Sequence, residues 1–141
     1  PSDLVDRFKA VRRVMDLGPP SFHQEVLAEF IEQGHFARHI RRMRVLYGER
    51  ANVLVDTLKS MLGGAVEVFG GEAGMHLAVM LKKRGRDREI ARRAAQQKLW
   101  LWPLSPSYLS DEARQGFILG FGSTQKEDIP TAVAKFRNLL A

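Results

Sequence analysis

The stretch LGGAVEVFGGEAGMHLAVML, residues 62–81, contains the point where the spacing of apolar residues changes from helical to strand-like. Ala65–Phe69 and Met75–Leu81 are two short apolar runs, and a glycine-rich segment of five residues separates them. Side chains of a strand alternate between its two faces, so this stretch predicts a pair of strands with one face toward a core. In the second strand the two faces are formed by Leu77, Val79 and Leu81 and by His76, Ala78 and Met80.

Upstream of this stretch, apolar residues recur at the three- and four-residue steps of helices. The longest such segment, Phe36–Leu62, predicts a helix about 40 Å long. Two shorter helices precede it: one begins at Ser2 and stops at residues 18–20 (GPP), and the other begins at Ser21 and ends near Gly34. The apolar stripe of these two helices has no predicted sheet to pack on, and it consists of Leu4, Phe8, Val11, Met15, Val26, Phe30 and Ile31.

Downstream, the pattern predicts a short helix capped by Asp87 and two further strands, Leu99–Trp102 and Phe117–Phe121. A last helix starts near Asp128, because Pro130 is tolerated only in a first turn. The order is three helices followed by β-β-α-β-β-α. This order predicts an α+β fold, in which a long connector helix leads to a small, mostly antiparallel four-stranded sheet with helices on one face.

Composition excludes several classes of protein. The 141 residues contain no cysteine, which removes disulfide scaffolds, cysteine zinc sites and thiol nucleophiles. No run approaches the eighteen or so apolar residues of a membrane span, and no signal peptide opens the chain, so we expect a cytoplasmic protein. The first residue is Pro1, and we expect the chain to be a piece of a longer protein.

Three short patterns match parts of known catalytic or binding motifs. His35 and His39 lie one helical turn apart, but Phe36 stands where a metalloprotease has glutamate and no third ligand is evident, so we predict no metal site. Residues 123–126 (STQK) match a serine-acylase string without its companion motifs and are interpreted as a turn leading into a helix. The glycines of residues 70–74 fit no phosphate-binding loop; they indicate a hairpin connection or, alternatively, a close approach of backbone to a ligand.

Basic residues are concentrated in two segments, Arg38–Arg44 and Lys82–Arg93, and contribute to a formal net charge of +6. Such segments can neutralise phosphates, but no helix-turn-helix, RNP or zinc-finger signature accompanies them. They are interpreted as solvated or subunit-contacting faces. An independent basic binding module is a further alternative, and it requires Pro1 to lie near the natural start of the protein.

The helical segments also carry a recognisable motif. Gln24–Ile31 leads into Gly34–Arg44 and then Tyr47, and this block resembles the pattern Q-x-x-L-A-x-F-I-x-x-G-x-x-x-R-H-I-R-R-M-R-x-x-Y of MocR-type transcriptional regulators. That group is a branch of the GntR regulators, and its members carry a domain that resembles fold-type I pyridoxal-phosphate aminotransferases. Gly74–Leu77 and Gly116–Phe121 resemble two strand motifs of the same family. The resemblance extends over essentially the whole chain.

The resemblance implies an organisation and a function. Residues 1–35 would be helices at the edge of a missing large domain, residues 36–63 an interdomain helix, and residues 64–141 the small C-terminal domain. The lysine that holds the cofactor and the winged-helix DNA-binding domain would both lie upstream of Pro1. The chain would then be the C-terminal effector-binding and dimerisation part of a homodimeric regulator. The effector of this regulator would be a small amino compound. The regulator would contact DNA only through the absent domain, and it would not associate with a membrane.

One position departs from the related enzymes. Many aminotransferases of this fold carry, in the last strand, an arginine that holds the substrate carboxylate, and in this alignment that place is Ile118. An aliphatic side chain cannot make the bidentate contact, and Arg114, four residues upstream, is a possible substitute. The departure favours sensing over transamination. The alternative is the C-terminal part of a free-standing class I/II aminotransferase, which the upstream sequence would distinguish by the absence of a winged helix.

The resemblance assigns no catalytic residue to this chain and places one wall of an effector or substrate pocket in it. The residues of that wall are Gly74, Met75, His76, Tyr108 and Arg114. We predict that His76 faces the cleft between the domains, against the alternative of a partly exposed sheet residue without a role. We expect pyridoxal phosphate in the intact protein but no defined cofactor site and no transamination in this chain alone. We also expect residues 1–33 to fold back on the small domain, to pair with another chain or to be mobile.

Overall fold

The N-terminal helices form the first of two units into which the chain divides, Pro1–Arg42 and Met43–Ala141. The computed structural model describes residues 1–16, 21–72, 74–83, 86–109 and 113–140. Helix α1 is Ser2–Asp16, α2 is Ser21–Glu32 and α3 is His35–Leu62, so the division falls inside α3. The three predicted helices are confirmed, while the GPP stop at residues 18–20 lies outside the described residues.

The apolar stripe of α1 and α2 is exposed in the single chain. Its side chains are between 37% exposed, at Leu4, and 76% exposed, at Met15. None of these side chains is buried in the described chain, and the expectation that residues 1–33 fold back on the small domain, pair with another chain or are mobile stays a prediction. Burial of each would stabilise the protein by roughly 1.5–3 kcal/mol, so pairing with another chain stays a prediction.

The second unit is built on a four-stranded sheet. Its strands are β1 (Val66–Gly70), β2 (His76–Leu81), β3 (Trp102–Pro103) and β4 (Gly116–Gly120). Their order is β1-β2-β4-β3, and all three neighbouring pairs are antiparallel. The predicted α+β fold with a small antiparallel sheet is confirmed.

One face of this sheet, here called the core face, packs against helices. Its strand residues include Leu77 and Val79 of β2, which lie opposite Leu119 and Phe117 of β4. They form one buried cluster with residues of α3, of α4 (Asp87–Gln96) and of α5 (Ile129–Leu140). The ring of Phe117 meets that of Phe136 edge to face at 5.2 Å between centroids, a geometry that adds about 0.5–1.5 kcal/mol to burial.

The predicted third strand is too long. Residues Leu99–Leu101 are not part of β3, which begins only at Trp102. The physical reason is that the amide of Leu99 donates to the carbonyl of Ala94 at the end of α4. Lys98 adopts a left-handed conformation (φ 57°) there, and the chain joins the edge of β4 only after this turn.

The predicted capping role of Asp87 is wrong as well. Arg86 occupies the N-cap position of α4, and Asp87 is the first residue inside the helix. Its carboxylate accepts hydrogen bonds from Ser105, in a short 3₁₀ turn (Ser105–Ser107), and from the amide of Gly116. Sequence spacing alone gave no sign of these distant partners.

Candidate functional site

The face of the sheet opposite the helices, here called the outer face, carries the predicted pocket residue His76. A row of four side chains crosses this face from strand to strand, because each residue lies opposite the next in the register. The row consists of Phe69, Ala78, Ile118 and Trp102. The outer face is thus largely apolar, yet no helix of the buried cluster covers it.

His76 lies at one end of this face, opposite Gly120 of β4. A β-carbon added at Gly120 would lie 3.4 Å from Cδ2 of the imidazole. The absence of a side chain at Gly120 therefore leaves room for the imidazole beside β4. His76 is exposed and lies on the face that α5 does not cover. Its predicted role in a cleft between domains stays a prediction.

A cavity of about 580 Å³, here called the outer cavity, lies at this end of the outer face. Among the described side chains that line it, the imidazole of His76 is the only titratable group. The lining residues are His76, Trp100, Leu101, Trp102, Ile118 and Gly120. The cavity therefore presents aromatic and aliphatic surface with few hydrogen-bonding groups, which is the usual composition of a small-molecule site.

The segment that leads into His76 is fixed by glycines and by β4. Gly70, Gly71 and Gly74 all have φ between 81° and 100°, a region that other residues rarely adopt. Met75 follows, and its carbonyl accepts a hydrogen bond of 3.1 Å from the amide of Phe121. The hairpin interpretation of these glycines is confirmed, and Gly74, Met75 and His76 are brought together with the end of β4.

Tyr108 and Arg114 lie elsewhere on this unit. Tyr108 is half-buried and follows the 3₁₀ turn, where its amide donates to the carbonyl of Ser105. Arg114 is exposed and precedes the first residue of β4, whereas His76 pairs with the last. Four residues of extended chain span about 13 Å, so Arg114 and Ile118 are set well apart along the strand direction. The pocket roles of Tyr108 and Arg114 stay predictions.

Asp87 holds the segment that carries Tyr108. Its carboxylate is buried and accepts from the Ser105 hydroxyl at 2.7 Å and from the Ser105 amide at 2.8 Å. Burial raises the pKa of Asp87, but the hydrogen bonds from Ser105, Gly116 and Arg88 outweigh it and hold that pKa below its ordinary value. The ionised carboxylate thus connects α4, the 3₁₀ turn and β4.

Arg50 is a structural residue that the sequence reasoning missed. It is buried in α3, and its guanidinium donates to the carbonyl of Gly122 and, at 3.1 Å, to Oε1 of Gln125. These bonds tie α3 to the turn between β4 and α5. Arg50 lies in phase with the apolar stripe of Tyr47 and Leu54, and a charged residue on such a stripe is the signal that could have revealed it.

The structure also shows where the serine-acylase string and the histidines at the start of α3 lie. Ser123–Lys126 lie before α5, and Nζ of Lys126 is 3.3 Å from a carboxylate oxygen of Glu49, so the interpretation as a turn is confirmed. The imidazole of His35 stacks on the ring of Phe30 and contacts Oε1 of Gln33. Across the described part of the chain, no three histidine or acidic side chains are grouped in a way that could hold a metal ion.

A second, smaller cavity of about 310 Å³ lies beside the core, between α5 and the residues that precede β3. Its walls include Leu54 and Phe136, with Lys98 also in the lining.

Among the described helices, none has the length and apolarity needed to cross a membrane.

Comparison with known proteins gives relatives of one kind. The chain is 31% identical over its full length to an uncharacterized HTH-type transcriptional regulator, YhdI of Bacillus subtilis, and covers 30% of it. It is 32% identical, over 98% of its length, to the probable rhizopine catabolism regulatory protein MocR of Rhizobium meliloti and covers 28% of that protein. The pyridoxine biosynthesis regulator PdxR of Corynebacterium glutamicum is 27% identical over 89% of the chain. No family model matches the chain.

Solved structures give the fold. The kynurenine aminotransferase of Pyrococcus horikoshii matches 98% of the chain with a TM-score of 0.86 at 18% identity, and the chain covers 34% of it. LysN, the α-aminoadipate aminotransferase of Thermus thermophilus, matches 98% with a TM-score of 0.82 at 20% identity, and the chain covers 35% of it. The chain therefore has the fold of the C-terminal part of these aminotransferases and spans about 30% of the length of its curated relatives. The resemblance to MocR-type regulators is confirmed.

Proposed function

We propose that this chain is the C-terminal, effector-binding and dimerising part of a cytoplasmic MocR-type transcriptional regulator. The observation that carries the proposal is the similarity over the full chain to regulators such as YhdI and MocR. Because the chain spans only about 30% of those relatives, DNA binding is assigned to a winged-helix domain in the remainder of the protein. The effector is a small amino compound.

The outer cavity supports a sensing role. Ile118 lies in its lining, at the place where the resemblance puts the carboxylate-binding arginine of many aminotransferases. An aliphatic side chain cannot pair with a carboxylate, so the usual contact that orients an amino-acid substrate is missing there. The pocket can still select a ligand by shape and by the imidazole of His76. Dimerisation is supported by the exposed apolar stripe of α1 and α2, which a partner subunit would cover.

Pyridoxal phosphate belongs to this proposal only for the intact protein. When bound, the cofactor supplies an electrophilic aldehyde that condenses with amines. The lining of the outer cavity contains no lysine, no carboxylate and no arginine, so it does not fit the cofactor's aldehyde, ring nitrogen and phosphate. The smaller cavity has Lys98 but is otherwise mostly apolar. The proposal therefore places the cofactor site in the remainder of the protein.

The proposal is tested on the longer natural protein that contains this chain. DNA from its own upstream region is titrated with the protein in a mobility-shift assay, with and without amino compounds, and transamination is measured in parallel with 2-oxoglutarate. A regulator binds the DNA, responds to an amino compound and shows no turnover. Efficient turnover without DNA binding would contradict the proposal.

Turnover without DNA binding would favour the alternative proposal, that this chain is the C-terminal part of a free-standing aminotransferase. The specific observation on its side is the fold, since the solved structures that match with TM-scores above 0.8 include several aminotransferases. Fold alone does not determine activity, because one fold supports many functions. The regulator therefore stays the first proposal.

A further inference from the structure

We propose that the outer cavity binds the ring of an arylalkylamine that lacks a carboxylate, with Trp100 and Trp102 as the residues that determine this specificity. The inference rests on the proposed function, since it names the chemical class of the amino-compound effector.

The tryptophans are held outward by the residue between them. Leu101 is 8% exposed and belongs to the core, whereas Trp100 and Trp102 are 83% and 69% exposed. Because the side chain of Leu101 is buried, the side chains before and after it, at positions 100 and 102, lie on the outside. Both indole rings line the outer cavity, although burying them in the core would have been favourable. Two large aromatic side chains at a concave, uncovered surface are typical of a binding site.

The strand register places both an aliphatic and a polar side chain in the cavity lining. Trp102 lies opposite Ile118, and His76 lies opposite Gly120 on the neighbouring pair of strands. Gly120 contributes no side chain, and the imidazole of His76 lies beside it, since a β-carbon at Gly120 would stand 3.5 Å from Nε2 of the ring. We expect an aromatic ring in the cavity to contact Ile118 and an indole, with the imidazole of His76 as the hydrogen-bonding group for the amine end.

The charge of the lining selects against carboxylates. None of the six lining residues is Lys, Arg, Asp or Glu. A carboxylate that enters loses hydration without gaining a cationic partner, which is unfavourable. An ammonium group, by contrast, is attracted to the faces of indole rings. The lining therefore favours an aromatic amine over the corresponding amino acid.

The experiment uses tryptophan fluorescence of this chain, because Trp100 and Trp102 are its only two tryptophans. The chain is titrated with 2-phenylethylamine, with L-phenylalanine, which adds the carboxylate, and with n-butylamine, which lacks the ring. Excitation at about 295 nm avoids absorption by the probes. We expect the dissociation constant of 2-phenylethylamine to be lower than those of the other two by at least about tenfold, equal to about 1.4 kcal/mol.

Variants locate the site. Trp102→Leu is expected to weaken binding of 2-phenylethylamine at least about fivefold, since a stacking partner is lost. Phe69→Leu is the matched control: Phe69 is an exposed aromatic residue in the same cross-strand row but outside the cavity lining, and its replacement leaves binding unchanged. Ile118→Arg should shift the preference toward L-phenylalanine, with circular dichroism confirming that the variant is folded.

Three results would overturn the inference. Equal or tighter binding of L-phenylalanine would show that the cavity does not select against carboxylates. The lack of any fluorescence change up to 10 mM probe, about the weakest affinity of interest, would show that the cavity binds no ligand of this class. A blue shift on concentrating the chain without probe would show that a second copy covers the outer face. Each leaves the DNA-binding test of the proposed function unaffected, so the two failures are distinguishable.

Discussion

The two faces of one small sheet differ in what they do for the protein. On the core face, Val79 and Phe117 are fully buried among the helices. On the outer face, the next residue along β4 is Ile118, which is only partly buried beside the exposed ring of Trp102. The alternation of a strand thus separates stability from binding by a single residue step.

The largest expected effect tests this difference directly. Phe117→Ala removes a buried ring that packs on Phe136, and we expect it to lower the free energy of unfolding by about 3–5 kcal/mol. Ile118→Ala, one residue further along the same strand, is the matched control, with an expected loss of about 1 kcal/mol or less. Urea unfolding followed by far-ultraviolet circular dichroism measures both. Equal losses would contradict the assignment of the two faces.

A smaller but still large effect is expected at Asp87. Asp87→Asn places an amide against the amides of Ser105 and Gly116, and we expect a loss of about 2–3 kcal/mol at pH 7. Ser105→Ala should lose less, because it removes only the hydroxyl donor.

The same carboxylate predicts a pH dependence. The pKa of Asp87 is lower in the folded protein than its ordinary value of 3.8, so its stabilising contribution is complete above that value. The contribution is lost as the pH falls toward the folded pKa, because the unfolded chain takes up the proton first. The difference in stability between the original protein and Asp87→Asn should therefore shrink in this acidic range. A difference that stays constant down to about pH 2 would contradict the lowered pKa.

An intermediate effect is expected at Arg50. Arg50→Lys keeps the charge but cannot reach Gly122 and Gln125 together, and we expect a loss of about 1–2 kcal/mol in urea unfolding. Arg44→Lys, at an exposed position of α3, is the control and should lie within about 0.5 kcal/mol of the original protein. A loss at Arg50 no larger than at Arg44 would show that the tie to the β4–α5 turn contributes little.

The smallest effect on the free energy of unfolding is expected at Trp102, where substitution should have the largest effect on ligand binding. Trp102→Leu removes an exposed ring, so the free energy of unfolding should change by no more than about 0.5 kcal/mol. Unfolding is followed by circular dichroism, because the substitution changes the fluorescence itself. A loss above about 2 kcal/mol would mean that Trp102 supports the fold and would weaken its assignment to a binding surface.

The sequence predicted the features that depend on local spacing. The period-two pattern of β2 placed Leu77 and His76 on opposite faces, and the position of Pro130 fixed the start of α5 to within a residue. The start of β3 could not be predicted in this way, because it depends on the hydrogen bond between Leu99 and Ala94. The partners of Asp87 could not be predicted from local spacing either, since its acceptor role depends on residues 18 and 29 positions away.

The candidate site was predicted only in part. The resemblance named His76 from a strand motif, but the sequence reasoning assigned no role to Trp100 and Trp102. Their importance becomes visible only when the sheet order puts β3 beside β4, so that Trp102 lies opposite Ile118. The register of distant strands is decided by tertiary packing and not by the residues of one strand.

The most direct test of the central claim, that the outer face binds a ligand while the core face stabilises the fold, is a nuclear magnetic resonance titration. The ¹⁵N-labelled chain, at 15.9 kDa, is titrated with 2-phenylethylamine and the amide and indole signals are followed. The account predicts shifts concentrated at His76, Trp102 and Ile118, which line the outer cavity and not the smaller one, with the signals of α5 unchanged. Shifts concentrated instead around Lys98 and Phe136, at the smaller cavity, or no shifts at all, would contradict it.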